Sequence, residues 1–445
     1  MWINFRSTVK VWCNRKLNDL IEENAVAFKE VMKKHDGLKG AITETDGNIY
    51  ALPTWNDCFH CNYAQKLWIN QEWLNKLGLK MPETTDEFYE VLKAFKTKDP
   101  NGNGKQDEIP LTGSIDGWFA NPDSFIMNAF ILDPSRYEKV KTILIDDSKV
   151  DTIANKEEYR EGLRYLNKLY KEGLIGVNSF TQKSDQVKQL IANADANLVG
   201  AFTDGVSVDC VEIANKERYK AYTPLAPLTG SKGVKQSTFF KYNAIGEGQF
   251  AITKACKYPE AAIRMADILY TTEGALNHRY GAEGVGWEKA AEGTVGINGK
   301  PALYHSLLPY SVEPQDNSYL FLGIEYLPEE IRLGDVTNPN VDPYSPEGLE
   351  KMLYDETAKK YEPYASKNAS VMPPIKLLTE ENEALSTITV ELEKAISESR
   401  VRFIIGDLDL DKDWDSYVKN LEKIGLKQYL DTYQKAYDRQ FKNNK

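Results

Sequence analysis

The segment from Lys96 to Gly113 spaces oxygen-bearing side chains as a calcium site requires. Its sequence, KTKDPNGNGKQDEIPLTG, alternates acids and amides with residues that allow the backbone to turn. Calcium takes about six to eight oxygen ligands, and an all-oxygen shell favours calcium over zinc. The sequence therefore predicts one calcium ion in this loop. Its predicted ligands are the side chains of Asp99, Asn101, Asn103, Asp107 and Glu108 and the main-chain carbonyl of Lys105.

This loop departs from an EF-hand at its last position. Counted from Asp99, position 6 is Gly104, as in an EF-hand, but position 12 is Pro110, where an EF-hand has a bidentate glutamate. Glu108, at position 10, can supply the missing carboxylate. The competing interpretation is a solvated Asn-Gly turn, and the unbroken alternation of oxygen ligands favours the ion. Because the loop is remote from any candidate cleft, we expect the ion to brace the fold rather than to do chemistry.

The common catalytic motifs are missing from the sequence. The 445 residues contain no G-x-S-x-G, no P-loop, no G-x-G-x-x-G after a strand and no H-E-x-x-H. Four histidines occur, at positions 35, 60, 278 and 305, without the spacing of metal ligands, and we expect them at the surface or as helix caps. The 66 acidic residues provide many carboxylate pairs, so a glycoside hydrolase stays open as an alternative.

Charge and cysteine content restrict the class of protein. The chain carries 55 basic and 66 acidic residues, a formal net charge of −11. Nucleic acid and anionic lipid repel such an acidic chain, so no nucleic-acid partner is expected. No apolar run reaches the ~18–20 residues of a membrane span. Cys58 and Cys61 form a CxxC without a second ligand pair for zinc, which leaves two semi-buried thiols or a local disulfide.

Helix signals recur along the chain. Thr84 and Glu87 form a capping box, which predicts the start of an amphipathic helix. A second amphipathic helix is predicted to end at Gly173 in a left-handed cap. A third is predicted to begin at Pro259, a first-turn position, and to end at Gly274.

Strand signals lie between these helices. Short apolar runs at 196–202 and 248–253 predict strands, while 379–399 and 414–441 predict amphipathic helices at the C-terminus. Strands separated by helices predict an α/β protein with largely parallel sheets.

An ordered set of segments resembles the family 1 extracellular solute-binding proteins of ABC importers, in the lipoprotein form of Gram-positive bacteria. The segment WINQEWLNKLGLKMPETT leads into the calcium loop, and the family's loop implies the same ligands as those named above. DGNIYALP, at 46–53, resembles the approach to the first hinge. The other matching segments are GWFANPDSFIMNAFI at 117–131, YGAEGVGWEKAAEGTVGINGKPA at 280–302 and the C-terminal FIIGDLDLDKDWDSYVKNLEKIG.

The resemblance implies an α/β fold of two lobes, the type II periplasmic-binding-protein-like fold, with the ligand between the lobes. Residues 1–65 and 251–374 are then expected to form lobe 1 with its ligand-side loops, and 66–250 and 375–445 to form lobe 2 with the calcium loop. The family has a signal peptide, a lipidated cysteine and a longer first-lobe region before the DGxIYALP motif. The chain is therefore expected to be N-terminally truncated, with its first lobe incomplete.

The implied function is binding without catalysis. The intact protein would be a monomeric lipoprotein on the extracellular face of the cell membrane. It would capture an oligosaccharide or sugar-like solute and deliver it to the transmembrane subunits of an ABC permease. A peptide-binding protein of the same fold stays open as an alternative.

Aromatic and acidic residues near the expected cleft are the candidates for ligand binding, because rings stack on sugar faces and carboxylates bond hydroxyl groups. Trp55 and Asp57 follow the first hinge, Trp118 lies in the Gly-Trp segment, and Trp287 lies with Glu283 in a Gly-rich loop. Two weaker candidates are Asp204, in the loop after the strand predicted at 196–202, and Tyr242, near the point where the chain is expected to cross back between the lobes. The complete set is Trp55, Asp57, Trp118, Asp204, Tyr242, Glu283 and Trp287.

Overall fold

The chain forms short strands surrounded by helices. A computed structural model describes residues 14–35, 37–135, 142–308, 318–319, 323–338, 340–366 and 369–442. The strands are Leu52–Asn56 (β1), Leu67–Asn70 (β2), Ile143–Asp146 (β3), Lys149–Thr152 (β4), Ala201–Thr203 (β5), Tyr222–Pro224 (β6), Ile245–Phe250 (β7), Trp287–Lys289 (β8), Tyr304–Ser306 (β9), Tyr326–Leu327 (β10) and Ala369–Val371 (β11). The α-helices are Asn18–Asn24, Val26–Lys34, Leu38–Ile42, Gln71–Lys76, Thr85–Thr97, Ser124–Met127, Glu157–Lys171, Ser184–Ile191, Lys216–Lys220, Pro259–Ile268, Thr272–Tyr280, Glu329–Arg332, Leu349–Lys360, Thr379–Ile405, Trp414–Ile424 and Leu426–Tyr437.

The strands form three small sheets and a ribbon, and the expectation of largely parallel sheets is wrong. The sheet orders are β10-β1-β7, β5-β2-β6 and β11-β3-β4, and β8 pairs with β9. Among these named strands, the β1–β10 pairing is parallel and the others are antiparallel. One reason is local: Asp147 and Ser148 between β3 and β4 both have positive φ, as a two-residue hairpin turn requires.

A first core surrounds the sheet β10-β1-β7. The N-terminal helices and the helix Pro259–Ile268 pack on this sheet. Their shared apolar cluster includes Leu17, Phe28, Leu52, Ile263 and Leu327. Each of these side chains is buried. The strand β1 is therefore held between segments that are distant in sequence.

A second core covers both faces of the sheet β5-β2-β6. Side chains alternate across a strand, and β2 is buried along its whole length. Leu67 and Ile69 join a cluster with the helices Thr85–Thr97 and Glu157–Lys171. Trp68 faces the other way, into a cluster that includes Leu353. The assignment of lobe boundaries along the chain stays a prediction.

The capped helices begin and end much as the sequence predicts, with one exception. Thr84 and Glu87 form the predicted capping box, and Gly173 has φ +66° at the end of the second helix. The third helix does not reach Gly274. It ends at Ile268, and Thr271 caps a new helix by accepting the Gly274 amide, 3.0 Å away. A Cβ on Gly274 would lie 1.9 Å from the Ile268 carbonyl oxygen, so glycine permits this tight joint.

The C-terminal helices pack on the second core. Phe403, Trp414 and Tyr417 join the same cluster as Leu163, which confirms the two helical segments predicted there. In the described part of the chain, no helix combines the length and apolar character that crossing a membrane requires.

Candidate functional site

Residues 56–66 carry the chain from the first core to the second, and we call this region the junction. The segment leaves β1 and returns in β2 as a central strand of the second sheet. Trp55 and Asp57 lie where it begins, and both are half-buried. The Trp55 ring stacks on His35 with centroids 3.9 Å apart, so one face of the indole is already covered. Its buried Nε1 has no hydrogen-bond partner among the described residues.

A row of polar side chains starts beside Trp55 on the first core. Arg279 donates to Glu325 at 2.6 Å, and Glu325 accepts a second bond from Asn56 at 2.8 Å. The side-chain Oδ1 of Asn56 in turn accepts from Arg332 at 3.3 Å. These contacts attach the end of β1 to segments more than two hundred residues away.

The row continues onto the second core. Arg332 forms a two-pronged ion pair with Glu350, at 2.9 and 3.1 Å. Arg332 ends a helix whose Ile331 belongs to the first core. Glu350 belongs to a helix whose Leu353 packs in the second. The ion pair therefore joins the two cores.

Burial and neighbouring charges shift the pKa values of the ionisable side chains at and beside the junction. Burial alone would raise the pKa of Glu350, but the Arg332 guanidinium and the His60 ring outweigh it and hold that pKa well below its usual value. Burial lowers the pKa of His60, whose ring lies 3.6 Å from Glu350. Burial also lowers the pKa of Lys66 to about 7. The Lys66 ammonium donates to the carbonyls of His60 and Tyr63, both at 2.7 Å.

Trp118 reaches the junction from the Gly-Trp segment, where it packs in a small cluster with Ala64 and Phe240. Its half-buried ring lies edge-on to His60, with centroids 6.2 Å apart. The indole lies directly over Gly205, where a Cβ would be 2.2 Å from a ring carbon. Glycine at position 205 therefore fixes where this ring can sit.

Asp204 lies behind Trp118 and is fully buried. Its carbonyl accepts from the Trp68 indole at 2.9 Å, and the Cys210 thiol approaches its carboxyl at 3.7 Å. Burial, reinforced by Asp209, raises the pKa of this carboxyl well above its usual value. These contacts give Asp204 a role in holding the loop, and its predicted contact with ligand stays a prediction.

The remaining predicted ligand residues lie in different surroundings. Tyr242 is half-buried and packs on a small cluster with Phe240. Glu283 is exposed, with its carboxylate 3.9 Å from Lys289. Trp287 is only 3% exposed, and its Nε1 donates to Asn277 at 3.0 Å. The structure thus brings Trp55, Asp57 and Trp118 to the junction, while Trp287 contributes its ring to the first core.

A polar pocket of about 130 Å³ opens beside the ion pair of the junction. Its walls come from the first core and from the helix that begins at Leu349. The polar side chains that line it include Arg279, Ser306, Arg332, Asp335, Thr337 and Glu350.

The loop predicted to bind calcium is held by hydrogen bonds among its own acids, amides and main chain. The Asp99 carboxylate accepts the amides of Gly102, Asn103 and Gly104 at 2.9–3.1 Å. Both Glu108 carboxylate oxygens are buried without a hydrogen-bond partner in the described chain. Burial, then the charges of Asp99 and Asp107, raises the pKa of Glu108. Because a divalent cation would relieve this repulsion, the donor set fits calcium.

The CxxC is a disulfide in the structure. Cys58 and Cys61 are bonded to each other, three residues apart, which decides between the two alternatives that the sequence left open. The His60 ring lies close to both sulfur atoms, but the disulfide occupies both thiols. The disulfide closes the start of the junction, next to the short helical turn at His60–Tyr63.

Residues 14–276 match the family described as bacterial extracellular solute-binding protein. The chain belongs to this family. Members bind solutes for transport, so the chain is a solute-binding component rather than an enzyme, as the sequence predicted.

Individual relatives extend the match beyond these residues. The fructooligosaccharide ABC transporter substrate-binding protein FusA of Streptococcus pneumoniae is 28% identical over 440 residues, covering 96% of this chain and 76% of FusA. The lipoprotein LipO of Bacillus subtilis is 24% identical, covering 89% of this chain and 72% of LipO.

Solved structures confirm the α/β periplasmic-binding-protein fold. FusA in complex with kestose superposes with a TM-score of 0.77 at 25% identity, over 97% of this chain and 84% of that one. FusA has also been solved as an EF-hand mutant with fructo-nystose. The alginate-binding protein AlgQ2, solved without calcium ion, has a TM-score of 0.67 at 26% identity, covering 96% of this chain and 82% of AlgQ2.

Sequence reasoning missed the burial of two histidines and the ion pair beside the junction. His60 and His278 were expected at the surface or as caps, but both are buried, with 5% and 3% exposure. Arg332 and Glu350 were not singled out at all, because their pairing depends on the fold. A signal for His60 was present, since it lies inside the CxxC immediately after the hinge strand.

Proposed function

We propose that this chain captures an oligosaccharide between its two cores and delivers it to the transmembrane subunits of an ABC importer. The observation that carries the proposal is the match to FusA, a fructooligosaccharide-binding protein, over 96% of the chain. Family membership fixes solute binding, and the relative indicates the class of solute.

The junction supplies the chemistry that sugar binding needs. Sugars present apolar C–H faces and a rim of hydroxyl groups, which rings and polar groups bind respectively. Trp118 offers a half-buried ring that lies over Gly205. Asn56 and Asp57 offer amide and carboxylate groups at the end of β1. Trp55 offers the accessible part of a half-buried indole, one face of which rests on His35.

Binding between two cores implies closure around the solute. We propose the lobe boundaries given by the sequence, 1–65 with 251–374 and 66–250 with 375–445, with hinge motion centred on the junction. The chain would act as a monomer that docks on its permease. Anchoring by a lipid on the extracellular face is part of the same proposal, and it is supported by the match to the lipoprotein LipO.

Calcium binding at the loop Asp99–Glu108 is a separate structural proposal. The unpartnered, buried Glu108 carboxylate and the adjoining acids support it. Asp99, Asn101, Asn103, Asp107 and Glu108, with the Lys105 carbonyl, would hold the ion. When bound, the ion would neutralise the acids and fix the loop. Titrating calcium into chelated protein while following thermal unfolding tests this proposal.

The solute proposal predicts saturable binding that depends on Trp118. We expect calorimetry with a panel of neutral oligosaccharides, including kestose, to show binding with the ligand recovered unchanged. Trp118→Ala should weaken affinity about tenfold, because a stacked ring contributes on the order of 1–2 kcal/mol. Gly205→Ala should weaken it as well, by displacing the ring.

Tyr258→Ala is the matched control, because this aromatic ring is 73% exposed at the start of the helix Pro259–Ile268. Its affinity should equal that of the unaltered protein. Binding of peptides with no binding of any oligosaccharide would overturn the proposal in favour of a peptide-binding protein. Release of reducing ends over time would instead indicate a glycoside hydrolase.

A further inference from the structure

The polar pocket beside the ion pair contains no residue that the sequence predicted for ligand binding. It lies between β9, the segment around Asp335, and the start of the helix Leu349–Lys360. Tyr280, Ile297 and Leu327 supply apolar wall. The pocket thus has one side on each core, as a site that closes around a solute would.

Its size fits one ring and not a chain. The pocket has a volume of about 130 Å³. This volume is well below the ~300–1,000 Å³ of sites that enclose a drug-sized ligand. A whole oligosaccharide must therefore extend out of it.

The cations of the pocket are already paired. Arg279 donates to Glu325 at 2.6 Å, and Arg332 binds Glu350 at 2.9 and 3.1 Å. Lys351 faces Asp355 along its own helix. An anionic ligand would have to break one of these pairs and leave a carboxylate without its partner, which is costly. The walls therefore favour an uncharged guest.

Hydroxyl-bonding groups are nevertheless present. The Asp335 carboxylate is held by the Ser306 amide and hydroxyl, at 2.9 and 2.5 Å. Thr337, two residues further on, also lines the pocket and is half-buried. Carboxylate and hydroxyl groups bond sugar hydroxyls in both directions, as acceptor and as donor.

We propose that this pocket is the subsite for the terminal, uncharged residue of the oligosaccharide. The proposal rests on the proposed function. It adds where one end of the oligosaccharide binds and that this end is uncharged. Arg332 lines the pocket and also donates to Asn56. One sugar ring in the pocket would thus leave the next rings to run along the junction toward Trp55.

The subsite predicts selectivity for length that a bulky side chain abolishes. Calorimetry on the full chain would compare pairs that differ by one residue: kestose with sucrose, maltotriose with maltose, and cellotriose with cellobiose. In at least one pair the longer sugar should bind about tenfold more tightly. Thr337→Trp, which fills the pocket, should bring the longer sugar to within about twofold of the shorter one and leave the shorter one unchanged.

Two further variants guard against a folding artefact. Ser306→Ala removes one hydroxyl without adding bulk and should weaken only the longer sugar, by a few-fold. Thr379→Trp puts the same bulk on the exposed first turn of a C-terminal helix and should change neither affinity. Thermal unfolding of each variant shows whether it is folded.

The outcomes separate this inference from the proposed function. Failure of the unaltered protein to bind any of these sugars or a wider neutral panel would overturn both. Binding with length selectivity that Thr337→Trp leaves intact would overturn the subsite alone. Trigalacturonate should bind at least about tenfold more weakly than the favoured neutral trisaccharide. Equal affinity, equally sensitive to Thr337→Trp, would overturn the uncharged character of the subsite.

Discussion

Buried ionisable side chains show most directly how this fold controls single residues. In the second core, Arg400 pairs with Asp123 while Asp133 lies nearby, only 3% exposed. Burial, then the charge of Asp123, raises the pKa of Asp133 to about 6. The Asp133 carboxylate accepts the Ser135 amide at 2.8 Å. The core thus holds an acid that ionises only near neutral pH.

Replacing Asp133 should make stability less dependent on pH. The pKa of Asp133 is higher in the folded chain than in the unfolded one, so the folded chain binds more protons between about pH 4 and 6. Its contribution to stability is therefore present at low pH and lost as pH rises through about 6. Asp133→Asn should exceed the unaltered protein in unfolding free energy by up to roughly 3 kcal/mol at pH 8, and much less at pH 4.5.

Urea unfolding at the two pH values measures this difference. Asp146→Asn, on the exposed end of β3, is the matched control and should change stability little at either pH. An equal effect of Asp133→Asn at pH 4.5 and pH 8 would contradict the assignment.

At the scale of elements, the loop Asp99–Glu108 is fixed at both ends by regular structure. It follows the helix Thr85–Thr97, and Ile109 directly after it forms a parallel bridge with Val199. An ion in the loop would therefore brace a helix against the second sheet. This placement favours an effect on stability over an effect on the solute site.

Calcium should raise the melting temperature, and Glu108→Gln should remove most of that rise. An ion that binds only the folded chain adds about 2.7 kcal/mol when its concentration is a hundred times Kd. Without calcium, Glu108→Gln should be at least as stable as the unaltered protein, because it removes a buried acid. Loss of the calcium response would therefore not reflect misfolding.

Glu90→Gln, exposed on the preceding helix, is the control and should keep the full response. Thermal unfolding in calcium and in chelator provides the measurement. An unchanged melting temperature of the unaltered protein would contradict calcium binding.

Local elements were predictable from the sequence, and their pairing was not. The cap at Thr84 and the stop at Gly173 depend on residues within a few positions, so their patterns could be read directly. Sheet pairing depends on partners such as Leu52 and Phe250, about two hundred residues apart. The third helix ended early because a tight joint at Gly274, not a left-handed cap, follows it.

The residues of the candidate site also divide into those that local sequence indicates and those that only the fold brings together. Trp55 and Trp118 could be chosen from the sequence, because Trp55 follows the expected hinge and Trp118 lies in the Gly-Trp segment. The pair Arg332–Asn56 spans 276 residues, and no local pattern announces it. The burial of Trp287 was also hidden, since a Gly-rich loop does not reveal that its ring folds back into a core.

At the scale of the whole molecule, the Arg332–Glu350 pair joins the two cores. Its side chains are 11% and 31% exposed. Removing one partner of a buried ion pair costs about 3–5 kcal/mol, because the other charge is left uncompensated. The partial exposure of Glu350 reduces this figure.

Arg332→Met should therefore lower the unfolding free energy by on the order of 2–3 kcal/mol. Arg164→Met is a matched control, because Arg164 also forms a two-pronged pair, with Asp411, but on the surface with 41% and 70% exposure. An exposed pair contributes about 0–1 kcal/mol. Urea unfolding measures the unfolding free energy of both variants. Equal decreases would show that the Arg332–Glu350 pair stabilises the fold no more than a surface pair does.

The distribution of tryptophans has a practical consequence. Among the described residues, Trp68, Trp73, Trp287 and Trp414 are sealed in the cores, each with at most 5% exposure. Trp55 and Trp118 are only partly buried, and both lie at the junction. Their indole emission, unlike that of the other four, can respond to a guest or to an aqueous quencher. Intrinsic fluorescence should therefore follow loading and release of solute without any attached label.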